Sequence, residues 1–220
     1  MISRLLLFLH FTRFVTPDST PNIICTGPAF KRAMATSNRP SVGPDEVLSF
    51  WFGELKPQNW FARSDTVDAD IRSRFGATLE QASRGELSSW RNTAKGRLAE
   101  IIVLDQFSRN LHRGSAKAFS SDGMALVLAQ EAIRAGAEAE LSAKEKQFLY
   151  MPFEHSESAV IHEEAVKLFS QPGLEGILPW DLKHKEIIDR FGRYPHRNEV
   201  LGRVSTQEEI DFLKTPNSSF

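Results

Sequence analysis

Leu98-Ala99-Glu100-Ile101-Ile102-Val103-Leu104-Asp105-Gln106-Phe107-Ser108-Arg109-Asn110-Leu111-His112-Arg113, residues 98–113, reads as a helix apolar on most of its circumference. Leu98, Ile101, Ile102, Val103, Leu104, Phe107 and Leu111 leave it almost no polar face. Such a helix belongs in the middle of a domain. Asp105, Arg109 and Arg113 nevertheless recur at i, i+4 and i+8, which places them in one polar stripe. Charge on a buried helix is costly unless paired, so the stripe is either a packing device or the wall of a site.

Outward from it, the pattern is helical throughout. Pro44-Asp45-Glu46 starts a helix that Gly53 ends, and residues 53–65 read as a loop holding Trp60 and Phe61. Ser64–Thr66 caps a helix whose Ile71, Phe75, Leu79 and Ala82 face inward. Beyond Gly114, Ser120 or Ser121 caps a helix buried through Ala125, Leu128, Ala132 and Ala135. Ser142-x-x-Glu145 is a capping box, and Pro152 ends or kinks the helix it opens. Two more helices follow, near residues 158–171 and 179–191, and a last capping box at Ser205/Thr206 with Glu208/Glu209 opens a helix through Lys214. No run alternates as a strand does. These signals predict an all-α domain of about eight helices over residues 44–214, joined by short loops into antiparallel hairpins, with a disordered tail at 215–220.

The 220 residues carry a net charge of −1, with 41% hydrophobic and 25% charged residues. That balance suits one globular core and offers no electrostatic case for nucleic acid. No segment predicts a membrane span; Leu5–Leu9 is far too short. The one cysteine, Cys25, precedes the domain. A thiol nucleophile and Cys-ligated metals are therefore excluded from it. Residues 1–43 are basic and hydroxyl-rich, with Asp18 as their one acid before Pro44. They read as a disordered leader or a mitochondrial transit peptide, so the expected location is cytoplasmic or, through that leader, mitochondrial.

Four places concentrate polar groups. The first is the stripe Asp105, Arg109, Arg113 with Asn110 beside it; its bland reading is an ion pair that fixes packing. The second is the corner Glu154, His155, Glu157, where carboxylates could orient an imidazole or simply decorate a helix N-terminus. The third is His184 among Trp180, Ile187 and Ile188, a setting that also suits a satisfied core histidine. The fourth is the turn Arg190 to Asn198, with Arg193, His196 and Arg197, followed by Arg203; guanidinium groups there could clamp a carboxylate or phosphate, or form a solvated basic loop. No phosphate loop, dinucleotide fingerprint, nucleophile elbow or H-E-x-x-H occurs, so neither a cofactor nor a metal is called for.

Phe50-Trp51-Phe52-Gly53, Leu104-Asp105-Gln106-Phe107-Ser108-Arg109-Asn110, Tyr150-Met151-Pro152-Phe153-Glu154-His155-Ser156-Glu157, Arg190-Phe191-Gly192-Arg193-Tyr194-Pro195-His196-Arg197-Asn198 and Leu201-Gly202-Arg203 occur in that order. From about Asp45 to Leu213 the chain resembles the domain-of-unknown-function 924 family. The resemblance implies a tetratricopeptide-like, right-handed helical fold and no particular activity. His162 departs from the family pattern, where glutamine is expected.

The expected function is a pocket for a small anionic molecule. Arg109, Arg113, Arg193, Arg197 and Arg203 would neutralise the anion, Asn110 and Asn198 would orient it, and His155, His184 and His196 would line the pocket. Two alternatives stay open. One is a helical-repeat scaffold holding a short peptide. The other is a cofactor-independent hydrolase or acid–base enzyme using a histidine with Asp105 or Glu157.

Overall fold

A computed structural model describes residues 42–219. The leader reading, 1–43, falls almost wholly outside the described residues. Within them the fold is all-α, with about nine packed helices and no β-sheet. In chain order the α-helical segments, with α4 and α5 counted as one helix, are α1 (Pro44–Leu48), α2 (Pro57–Phe61), α3 (Asp65–Ser83), α4 (Ala94–Ile102), α5 (Ser108–Leu111), α6 (Asp122–Arg134), α7 (Ala143–Glu154), α8 (Ala159–Phe169), α9 (Leu178–Phe191) and α10 (Gln207–Phe212). A π-helical turn, Val103–Phe107, joins α4 and α5 into one continuous element.

That element is the centre. Leu98, Ala99, Ile101, Ile102, Val103, Leu104 and Phe107 are fully buried, packed by α1, α3, α6 and α7. Each of these side chains larger than alanine contributes roughly 1.5–3 kcal/mol by leaving water. Phe107 meets Phe50, Phe75 and Trp51, and Trp51 meets Phe148 edge-on. From α6 onward consecutive helices pack in turn, α6 on α7, α7 on α8 and α8 on α9.

The capping signals have physical counterparts. Ser64, Ser142 and Thr206 each accept a backbone N–H three residues on, and Glu145 and Glu209 reach back to complete two capping boxes. Four expectations differ. Residues 57–61 are helical rather than loop, because Pro57 occupies the first helical position and Asn59 accepts the Lys56 N–H. α6 buries Ala125, Ala129 and Ala132, while Ala135 is its exposed C-cap. α7 does not stop at Met151 but runs through Pro152 to Glu154. Burial of Met151, Pro152, Phe153 and Glu154 outweighs the hydrogen bond that proline forfeits, a loss of about 3 kcal/mol. Residues 215–219 continue in turns, with Ser218 buried and bonded to the Leu213 carbonyl. No helix among the described residues is long and apolar enough to cross a membrane.

Candidate functional site

Four elements deliver polar side chains to one cavity of about 750 Å³. The central element contributes Gln106 and Arg109, α7 contributes Gln147, Met151 and Glu154, and His155 caps α7. α9 contributes Trp180 and His184. The 3₁₀ turn Pro195–Arg197 contributes His196 and Arg197, with Tyr194 before it. Gln147, Met151 and Glu154 stand at i, i+4 and i+7, so α7 presents one continuous face. That face exists because the helix passes through Pro152.

Asp105 lies directly behind the wall, 1% exposed. It accepts from His155 Nδ1 at 2.7 Å, Gln106 Nε2 at 2.6 Å and Arg109 Nη1 at 3.2 Å. Burial resists its charge, but His155 and Arg109 outweigh that and hold its carboxyl well below the usual range. Asp122 is a second hub. Arg109 binds it with both terminal nitrogens, at 2.9 and 3.0 Å, and Arg197 Nη1 reaches it at 3.2 Å. Arg197 also donates to the His155 carbonyl and lies 4.5 Å from the ring centroids of both Phe119 and Tyr194. Its Nε is buried without an acceptor among the described residues.

Two histidines share one design. His184 Nδ1 faces the Trp180 carbonyl at 2.8 Å and Glu154 Oε1 at 3.0 Å, both acceptors, so Nδ1 carries a proton. Burial disfavours the charged ring, yet Glu154 raises the His184 pKa above its ordinary value. In His155 the Asp105 carboxylate fixes Nδ1–H in the same way. Both rings line the cavity. His196 differs: burial first, and Arg197 second, push it down to about 4, so it is neutral at pH 7. Among the described residues no group of three or more His, Cys, Asp or Glu is arranged to hold a metal ion.

The family model described as "Bacterial protein of unknown function (DUF924)" matches residues 47–217. The chain belongs to the DUF924 family. A solved structure, that of a protein of unknown function, ATU0120, from Agrobacterium tumefaciens, is 35% identical with a TM-score of 0.74; the match covers 78% of this chain and 96% of that one. No curated protein matches the chain.

In this DUF924 chain, the sequence-predicted residues fall into three groups. Arg109, Asn110, Arg113, His155, His184, His196 and Arg197 line the cavity, and Asp105 backs it. Arg113 leaves the expected stripe because α5 ends at Leu111 and Gly114 turns the chain with positive φ; Arg113 and Asn110 both bind Asp68 on α3. Glu157, Arg193, Asn198 and Arg203 do not line the cavity but frame the turn behind it. Arg203 binds Glu157 at 2.6 Å, Glu157 accepts the Tyr194 N–H, Arg193 binds Glu209 at 2.6 Å, and Asn198 donates to Ser205.

Residues missed by sequence reasoning are mostly carboxylates. Asp122 reads as an ordinary first-turn acid, and nothing in the sequence pairs it with arginines 13 positions before and 75 positions after it. Glu154 belongs to the expected acidic corner, but its place on the α7 face depends on the helix continuing. Asp181 is fully buried, and neither carboxylate oxygen has a hydrogen-bond partner among the described residues. Burial, with Glu154 adding to it, pushes Asp181 up to about 7.

Proposed function

We propose that the cavity binds a small anionic molecule through a carboxylate or phosphate group. The observation that carries this reading is the convergence of Arg109, His155, His184 and Arg197 on one concave space of ligand size. Arg109 and Arg197 share Asp122, and the buried Nε of Arg197 lacks an acceptor. A bound oxyanion would satisfy it bidentately. The local charge depends on the histidines. Arg109 and Arg197 balance Asp105 and Asp122, while Glu154 is offset only when His184 is protonated. Anion affinity therefore rises as pH falls.

The test is a calorimetric titration with inorganic phosphate and with acetate. We expect binding to weaken as pH rises, because His184, its pKa raised by Glu154, is lost as a cation as pH rises through its native value. Arg197→Ala should weaken binding at least about tenfold, the scale of one charge-assisted hydrogen bond. Unchanged affinity in an Arg197→Ala protein that melts cooperatively would remove the reading. His184→Gln supplies the same comparison if Arg197→Ala fails to fold.

A second reading, acid–base turnover, rests on the Asp105–His155 contact. Added to the same titration, small carboxylate esters should give the proton NMR signals of their hydrolysis products; unaltered ester spectra would rule it out. The successive packing of α6 on α7, α7 on α8 and α8 on α9 through short connections supports a tetratricopeptide-like arrangement.

A further inference from the structure

We propose that the ligand is an elongated amphipathic anion: a carboxylate or phosphate head on an apolar body roughly 10 Å long, the rise of seven helical residues. This rests on the anionic reading above and adds the shape and polarity of what the anion is attached to.

The argument starts from α7, whose lining residues run from Gln147 to Glu154. The two ends of that face have different neighbours. At the Glu154 end stand His184, His155 and Arg197, the last bonded to the His155 carbonyl. At the Gln147 end the neighbours are aromatic. Phe148, next to Gln147, stacks on Phe61 and meets Trp60 edge-on, and both rings line the cavity.

α9 repeats the gradient. Tyr194, just past the end of α9, donates to the Glu154 carbonyl at the end of α7, and Lys185 of α9 meets Glu163 in the first half of α8, so α9 runs in the same direction as α7. His184 is level with Glu154. Trp180, one turn earlier, therefore lies about 6 Å back toward Gln147. Ile177 precedes it on the same wall. Two helices thus carry charge at one end of the cavity and aromatic surface toward the other.

Exposure supports the same reading. Phe61 and Trp180 are the exposed aromatic side chains among the described residues, at 62% and 49%. Both border this cavity. Water-facing aromatic surface beside a concave site marks where an apolar group is taken up. Arg113, in the cavity lining, is neutralised by Asp68; Lys144 and Lys183, 4.8 and 4.1 Å from the Trp60 and Trp180 ring centroids, stack on those rings and do not line the cavity. A bare oxyanion would use the charged end and leave this surface wet.

The experiment is calorimetry at about pH 6 with acetate, butanoate, hexanoate, octanoate and dodecanoate, and with octanol as the uncharged control. Each added methylene should tighten binding about fourfold. The gain should stop near eight carbons, since an extended chain advances about 1.25 Å per bond. Phe61→Ala and Trp180→Ala should each weaken octanoate binding several-fold; both side chains are exposed, so both variants fold. If acetate binds and longer chains bind no tighter, the elongated ligand is overturned while the anion reading stands. A gain that continues undiminished to dodecanoate overturns the stated length. If octanol binds as tightly as octanoate, or nothing binds, the anion reading fails and this inference fails with it.

Discussion

At the scale of single residues, buried carboxylates organise this protein. Asp105 gathers three donors and Asp122 gathers two arginines, so their charge is compensated locally. Glu100, inside the central helix, is handled alike: fully buried, it receives both arms of Arg91 at 2.6 and 2.7 Å. Asp181 is the exception, buried beside Glu154, His184 and Lys185 without a donor on either oxygen among the described residues. Its pKa, raised to about 7, lies above an unfolded value of about 3.9. The native state thus holds that proton more tightly than the unfolded chain does. The associated stability is fully present below about pH 3.9 and is lost as pH rises through about 7. Asp181→Asn should abolish this component. Between about pH 5 and pH 8 the wild type should lose roughly 2–4 kcal/mol relative to the variant, measured by denaturant unfolding at each pH. Parallel pH profiles would show that Asp181 ionises freely. Little of this is legible in the sequence. Asp105–Arg109 is readable, being four residues apart on one helix, but Asp122 and Asp181 look like ordinary acids in helix first turns.

At the scale of elements, local chemistry reads well where caps decide and poorly where packing decides. Ser142 with Glu145 and Thr206 with Glu209 are local arrangements, and the sequence places both helix starts. The passage of α7 through Pro152 and the π turn at Val103–Phe107 are tertiary outcomes without a local signal. Both bear on the site: one brings Glu154 and His155 onto the cavity face, and the other carries Asp105. Gly96 shows how closely the central element is held. A Cβ there would fall well inside van der Waals contact with the Trp90 carbonyl oxygen, on the 3₁₀ turn Ser88–Asn92. The Gly96 N–H also donates to the Thr93 cap. Gly96→Ala must push that turn away or break the cap, at a cost of about 1–3 kcal/mol. A lowered denaturation midpoint checks this; an unchanged one would mean that the turn moves freely.

At the scale of the whole molecule, four sequence-distant clusters are sorted by the fold into a cavity wall and a frame behind it. Arg193 and Arg203 pair with Glu209 and Glu157 in the frame, whereas Arg109 and Arg197 share Asp122 at the cavity. Sequence reading treats the arginines as equivalent, because it cannot see which carboxylate each of them meets. The all-α class is legible from periodicity, and membership in the DUF924 family from the ordered motifs. The central claim, that the cavity cations and not the framing ones receive an anion, is open to one direct measurement. Nitrogen NMR of arginine Nε and histidine ring signals during a phosphate titration reports each group separately. The account predicts saturable shifts at Arg197, Arg109 and His184 with Arg193 and Arg203 unmoved. Shifts at Arg193 and Arg203 while Arg197 stays still would contradict it.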